Sequence, residues 1–133
     1  MDGDPFDLNR FVDAQSAGLF EQALAELAAG RKRSHWMWFI FPQQRDLGRS
    51  ANAIYYGLSG VDEARAYARH PLLGPRLRAC CSAVLPHLAR EPAEIVLGPV
   101  DARKIRSSMQ LFQEADPAED LFALVLAAAT RSA

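Results

Sequence analysis

The sequence has few of the residues that hold small proteins together through sulfur or metal. Its 133 residues include two cysteines and three histidines. Cys80 and Cys81 are adjacent, and adjacent cysteines almost never close a structural disulfide. The histidines lack the i, i+4 or short-loop spacing typical of zinc sites. We therefore predict no metal site, no cofactor and no disulfide framework, and we expect both cysteines to be small core or helix residues.

The motifs of common enzymes are missing too. No Ser-His-Asp order, glycine-rich phosphate loop or nucleophile elbow is present. The chain also has no large excess of positive or negative charge, because 15 basic and 16 acidic side chains give a net charge of -1. This balance does not favour bulk binding of nucleic acid or acidic membranes. The sequence alone therefore does not name a reaction.

Long hydrophobic runs are absent as well. The two longest, 36–41 and 121–129, are much shorter than the roughly 20 residues that span a bilayer. The first residues show neither the basic nor the apolar segment of a signal peptide. We expect a soluble cytoplasmic protein with no membrane partner.

Helical patterning is what the sequence does have. Half of the residues are hydrophobic and 23% are charged, as in a globular domain. Apolar side chains recur every three or four positions in 19–27, before Gly30, and again in 73–88. We predict an all-α protein, a single compact domain over residues 1–133 with about seven or eight short helices.

Prolines and capping residues mark where these helices begin and end. Pro86 is expected to end or kink the helix over 73–88, and His70 before Pro71 is expected to end the helix that precedes it. The predicted N-caps are Asp4, Ser16, Ser34, Ser50, Ser59, Asp101 and Asp116.

The aromatic run 36–41 fits either a buried strand or a buried helix, because periodicity does not separate the two over so few residues. We favour a helix, since Ser34 can cap it, Pro42 can stop it, and no second convincing strand exists to pair with it.

The same run is one of two segments whose residue types are suited to ligand binding or catalysis. The favoured interpretation of its aromatic side chains is core. The functional alternative is that Trp36 or Trp38 lines a pocket beside His35 and Gln43 and holds a planar ligand. His35 follows a basic stretch, 31–33, and is the candidate acid or base because imidazole titrates near neutrality. The favoured interpretation of a lone histidine is nevertheless a structural or helix-terminus residue.

The second segment is the start of a predicted helix at 101–112. Lys104, Arg106, Ser107 and Ser108 fall in its first two turns, where free backbone N–H groups and the helix dipole favour an anion. A phosphate or carboxylate can dock there. The alternative is a solvated helix face whose hydroxyls bond to their own i-4 carbonyls.

Three stretches carry a family resemblance. They are DPFDLNRFVDAQ at 4–15, GRKRSHWMWFIFPQ at 30–43 and KIRSSM at 104–109. On these, and over about residues 4–115, the chain resembles the family catalogued as domain of unknown function 1810 (DUF1810). The resemblance implies a small helical bacterial protein and supports a helix at 34–41.

Two departures from the family pattern stand out. Gln110 replaces the threonine of Ser-Ser-Met-Thr-Leu-Phe, which weakens any role for that hydroxyl. Residues 124–133 replace a glycine-containing turn and closing helix, so we expect the last helix to be shortened or divergent, with apolar surface left for a partner chain.

Some family members carry a calpastatin-like label. That label implies a long disordered inhibitor of calpain. A compact, apolar composition has the opposite character, so we reject this function.

Two functions remain. The leading hypothesis is binding of a small anionic, nucleotide-like ligand in a cleft between residues 35–43 and 101–108. The alternative is a protein-interaction or structural module that forms a homodimer or other homo-oligomer with no ligand chemistry. The first requires the two segments to converge, whereas the second does not.

Overall fold

Nine α-helices and one short 3-10 turn make up the part of the chain that the computed structural model describes, residues 3–131. The all-α prediction is confirmed. The helices are α1 (Asn9–Ala14), α2 (Leu19–Ala29), α3 (Met37–Ile40), α4 (Ala51–Tyr55), α5 (Val61–Arg69), α6 (Leu73–Leu88), α7 (Ala93–Leu97), α8 (Pro99–Ala115) and α9 (Asp120–Thr130), with the 3-10 turn at Arg45–Leu47.

The core forms around α8 and α6. Helix α8 packs against α5, α7 and α9, while α6 packs against α2, α5 and α9. Ile105, Met109 and Phe112 of α8 are fully buried, because they recur at helical spacing on its inner face. Both cysteines lie in the core as expected, and Cys81 Sγ is 3.7 Å from Met109 Sδ. The apolar stripes of the sequence therefore set the inner faces of these helices.

Helix starts differ from the sequence expectation more than helix ends do. Ser50 caps α4 as predicted, its Oγ accepting from the Ala53 amide at 3.1 Å. Helix α8 begins at Pro99, before the predicted cap, so Asp101 lies inside its first turn. The other five helices begin later than their predicted caps imply. Asp4 still accepts from the Leu8 and Asn9 amides at the start of α1, but other predicted caps bond elsewhere. Ser34, for example, bonds to Glu26 rather than to α3.

The two predicted stops near α6 differ in outcome. Helix α5 ends at Arg69, immediately before His70 and Pro71, as expected. Helix α6 does not end at Pro86 but continues to Leu88. A proline so close to a helix terminus removes little of the hydrogen-bond ladder, which is why the last residues stay helical.

Helix α9 closes the domain at its C-terminal side. Phe122, Val125 and Ala129 are buried against the rest of the core, whereas Leu124 is 54% exposed. Within residues 3–131 no helix is both long enough and apolar enough to cross a membrane.

The segment between α3 and α5 runs beside α8. It spans residues 41–60 and includes the 3-10 turn and α4. Hydrogen bonds from the Leu58 amide to the Gln43 carbonyl, 2.9 Å, and from the Arg45 amide to the Leu58 carbonyl, 2.7 Å, hold its two ends together. This segment forms one wall of the site described next.

Candidate functional site

A groove, here called the α8 groove, lies between α8 and the segment 43–47. One part is a cavity of about 320 Å³ lined by Gln43, Leu47, Val100, Arg103, Lys104 and Ser107. A second part, of about 230 Å³, is lined by Gln44, Leu47, Ser107, Gln110, Leu111 and Glu114. Leu47 and Ser107 belong to both, so the two parts adjoin along the helix. Cavities of a few hundred cubic ångströms are in the range that holds small molecules.

A small cavity beneath the groove, here called the Trp38 cavity, adjoins its first part. Its volume is about 10 Å³, and it is lined by Met37, Trp38, Phe41, Gln43, Ala53, Tyr56, Gly57 and Lys104. Gln43 and Lys104 line both spaces. A space of this size holds about one water molecule.

The two predicted segments meet at Trp38 and Lys104. The Lys104 ammonium lies 5.1 Å from the centre of the Trp38 ring, a distance at which the ring face attracts a cation. Trp38 Nε1 is buried and has no hydrogen-bond partner among the described residues. The two segments therefore converge at Trp38, Gln43, Lys104 and Ser107. His35, which the hypothesis also places in the cleft, does not line either space.

Positive charge accumulates behind Lys104. Asp101 Oδ1 lies 3.8 Å from the Lys104 ammonium, and Asp101 Oδ2 lies 2.8 Å from the Lys32 ammonium. One carboxylate thus serves two cations. Arg103, which immediately precedes Lys104 on α8, is exposed and lines the same groove. The first part of the groove consequently carries net positive charge.

Trp36 does not line the groove. It is 1% exposed, and its indole Nε1 donates to Glu26 Oε1 at 2.9 Å. Of the two tryptophans, Trp36 is core, as the favoured interpretation of the aromatic run proposes, and Trp38 faces the Trp38 cavity.

Glu26 organises the loop that leads into α3. Its carboxylate accepts from the amides of Arg33 and Ser34 at 2.7 and 3.0 Å, and from Ser34 Oγ at 2.6 Å. Partial burial raises the pKa of this carboxyl, but the hydrogen bonds from Ser34, Arg33 and Trp36 outweigh it and lower the pKa to about 2. An ionised Glu26 therefore holds this loop against α2.

Arg106 lies on the other side of α8. Two residues after Lys104 it is rotated by about 200° around the helix. Its Nε donates to the Ala129 carbonyl at 2.6 Å and its Nη2 to Glu94 Oε2 at 2.8 Å. The sequence grouping of Arg106 with Lys104 is therefore corrected, because Arg106 joins α8 to α7 and α9 instead of lining the groove.

The two serines differ in their surroundings. Ser107 lines both parts of the groove, and its Oγ donates to the Arg103 carbonyl at 3.2 Å. This i-4 bond is the one that the alternative reading of the segment predicts. Ser108 is fully buried and its Oγ has no partner among the described residues. Only Ser107 faces the groove directly.

His35 is exposed, and neither the α8 groove nor the Trp38 cavity includes it. No hydrogen bond or ion pair within residues 3–131 involves its imidazole. Across the same residues no group of three or more His, Cys, Asp or Glu side chains is placed to hold a metal ion. The lining residues thus suit binding through charge and hydrogen bonds.

The sequence analysis did not identify most residues of the second part of the groove. Gln44, Leu47, Gln110 and Glu114 were not among its candidates, although Gln110 was noted as a departure from the family pattern. One signal was available, since Arg103, Ser107, Gln110 and Glu114 recur at helical spacing and form a polar stripe. Leu47 carried no signal, because a lone leucine in a loop is ordinary.

Comparison with known proteins supports the resemblance seen in the sequence. A family model described as "Protein of unknown function (DUF1810)" matches residues 5–132. The chain is also similar to the conserved hypothetical protein Rv1873 from Mycobacterium tuberculosis, known from a crystal structure. The TM-score is 0.88 at 50% sequence identity, covering 93% of this chain and 87% of that chain. No curated protein is similar enough to count as a match.

Proposed function

The chain belongs to the DUF1810 family, and we propose that its α8 groove binds a small anionic ligand whose charge is received by Lys104. The single observation that carries this proposal is the Lys104 ammonium at the junction of the groove and the Trp38 cavity, above an indole whose buried N–H has no acceptor.

The unpartnered N–H favours an incoming acceptor. A buried donor without a partner costs about 1–3 kcal/mol. Trp38 lines the small cavity that Lys104 also borders. A ligand oxygen that reaches Trp38 Nε1 removes this cost, and one that also meets Lys104 forms a charge-assisted hydrogen bond, which is about twice as strong as a neutral one.

The surrounding groups add to the same preference. Asp101 is shared between Lys32 and Lys104, so it neutralises neither fully. Arg103, the Ser107 hydroxyl and the Gln43 amide line the same part of the groove. Arg103 and the Gln43 amide can donate hydrogen bonds to an anion, while the Ser107 O–H is already bonded to the Arg103 carbonyl. Because no histidine or cysteine is among the lining residues, we propose binding and assign no catalytic step.

The test removes the charge of Lys104 while keeping its apolar stem. Lys104→Met should fold normally and bind inorganic phosphate and adenosine 5′-monophosphate at least tenfold more weakly than the unchanged protein in isothermal titration calorimetry. In a thermal shift assay of the unchanged protein, ligand at a hundredfold excess over Kd should stabilise by about 2.7 kcal/mol.

Arg90→Met is the matched control, because Arg90 is an exposed cation outside the groove. It should bind both anions as the unchanged protein does. Equal binding by Lys104→Met and the unchanged protein, or no binding of either anion, overturns the proposal.

The alternative function, a homodimer, is favoured by one observation. Ile95 on α7 and Leu124 on α9 are each 54% exposed, and these two helices pack together. Light scattering over a hundredfold dilution tests it. A dimer that dissociates on dilution supports the alternative, and a monomer at all concentrations rejects it.

For the location, we propose the reducing cytoplasm, which the two buried free thiols support.

A further inference from the structure

The two parts of the α8 groove differ in charge. The part nearer the start of α8 contains the cations Arg103 and Lys104. The part nearer its end contains the carboxylate of Glu114 and the amides of Gln44 and Gln110, and no cation lines it. The groove therefore has a cationic end and an end rich in hydrogen-bond acceptors.

The charges that define the two ends are aligned on one helix face. Arg103 and Glu114 both line the groove, and their separation along α8 is about 16 Å, three turns of helix. Neither side chain takes part in an ion pair within residues 3–131. Both are exposed, so each is available to a ligand that lies along the groove.

An apolar contact separates the two ends. Leu47 lines both parts and is 58% exposed, which leaves its apolar surface open to a ligand. Leu111, buried at 5% exposure, lines the second part on the opposite wall. A flat ring between these leucines buries apolar surface while its edge stays near Gln44, Gln110 and Glu114.

The acceptor end suits a ring that carries an amine. A carboxylate only accepts hydrogen bonds, and a glutamine side chain both donates and accepts. Glutamine pairs with the edge of adenine, and a carboxylate accepts from the exocyclic amine of a nucleobase. A ring that presents a carbonyl in place of the amine offers Glu114 an acceptor at that position and keeps a donor only at the neighbouring ring nitrogen.

From this arrangement we propose that the ligand is an amino-substituted nucleoside phosphate, with its phosphate at Lys104 and Arg103 and its amine at Glu114. The proposal rests on the proposed anion-binding function and deepens it. Glu114 and Gln110 become the residues that determine base specificity, and the ring lies against Leu47 rather than on Trp38.

The experiment compares four probes by calorimetry on the full chain: inorganic phosphate, adenosine, adenosine 5′-monophosphate and inosine 5′-monophosphate. The last two differ at the base, where a carbonyl replaces the amine. The unchanged protein should bind adenosine 5′-monophosphate at least tenfold more tightly than inosine 5′-monophosphate. Glu114→Met should reduce this ratio to below threefold and leave the affinity for inorganic phosphate unchanged.

Glu21→Met is the control, because Glu21 is an exposed acid on α2, outside the groove. Glu21→Met should bind adenosine 5′-monophosphate at least tenfold more tightly than inosine 5′-monophosphate, as the unchanged protein does. Equal affinity for the two nucleotides, or a ratio that Glu114→Met leaves unchanged, overturns the assignment of the amine end. Phosphate binding that Lys104→Met abolishes then still supports the anion site.

Failure of the anion site alone can also be distinguished. If adenosine binds through Glu114 and its phosphate adds no affinity, the anion site is rejected while the amine end stands. If none of the four probes binds, both proposals are overturned.

Discussion

Glu26 shows how a single side chain on the surface of α2 sets the position of the aromatic segment. It accepts hydrogen bonds from backbone and side-chain groups of the loop before α3 and from the Trp36 indole. The fixed loop places Trp36 in the core and leaves Trp38 to contact Lys104. A carboxylate in this position also makes stability depend on pH.

The pH dependence has a definite sign. The pKa of Glu26 is lowered from 4.5 to about 2 in the folded protein, so the ionised form stabilises the fold above pH 4.5. This contribution is lost as the pH falls from about 4.5 towards 2. After allowance for solvent screening we expect it to be about 1–2 kcal/mol.

Urea denaturation at pH 7 and pH 3 measures this contribution. The stability difference between the unchanged protein and Glu26→Gln should be larger at pH 7 than at pH 3. Glu21→Gln, a change in an exposed acid of the same helix, should show no such difference. If Glu26→Gln and the unchanged protein lose stability in parallel on acidification, Glu26 is not the group responsible.

At the scale of elements, two opposite sides of α8 make different contacts. One side faces the groove with Lys104 and Ser107, and the opposite side joins α7 and α9 through Arg106. The Ala129 carbonyl that Arg106 binds lies in the last turn of α9, where carbonyl groups have no partner within the helix. Arg106 therefore closes the C-terminal end of α9.

Arg106→Met should loosen α9 without changing the groove. Loss of the bond to the Ala129 carbonyl is expected to cost about 1–3 kcal/mol. Hydrogen exchange should become faster in the last two turns of α9, and affinity for inorganic phosphate should stay within twofold of the unchanged protein. A tenfold loss of phosphate binding would contradict the separation of the two sides.

At the scale of the whole molecule, a buried ion pair connects distant parts of the chain. Arg10 Nη2 lies 2.7 Å from Glu63 Oε2, and their side chains are 5% and 1% exposed. Arg10 also donates to the carbonyls of Phe6, Tyr55 and Gly57. One guanidinium thus joins the N-terminal segment, the loop after α4 and helix α5.

Arg10→Met should be strongly destabilising, by roughly 3–5 kcal/mol, because the buried Glu63 carboxylate loses its close cation and keeps the more distant Arg45, at 3.9 Å. Glu63→Gln should also destabilise, and the double variant should lose less than the sum of the two single changes. Chemical denaturation of all four proteins completes the cycle. Strict additivity would show that the two groups are not coupled.

Much of the helical architecture was predictable because it depends on neighbours along the chain. The apolar spacing over 73–88, the break at His70 and Pro71, and the cap at Ser50 are local features, and each is found as expected. The predicted start of α8 was wrong by a few positions, because Gly98 and Pro99 begin the helix before Asp101 does. Asp101 instead pairs with Lys32, from a different part of the chain.

The candidate site was predictable in part. Its two segments and Trp38, Gln43, Lys104 and Ser107 were identified from residue type and spacing. Trp36 is the same residue type as Trp38, and Arg106 carries the same charge as Lys104. Their different roles depend on partners at Glu26 and Ala129. Local sequence contains no information about such partners.

The sequence by itself determined that this is a helical protein of the DUF1810 family with an aromatic and a cationic segment, because helix formation and motif identity follow from adjacent residues. Only the tertiary structure decided which tryptophan meets which cation and which face of α8 borders the loop with Leu47. Those relations arise from packing between residues far apart in the chain, where burial of apolar surface and pairing of charges choose one arrangement among many that the local pattern allows.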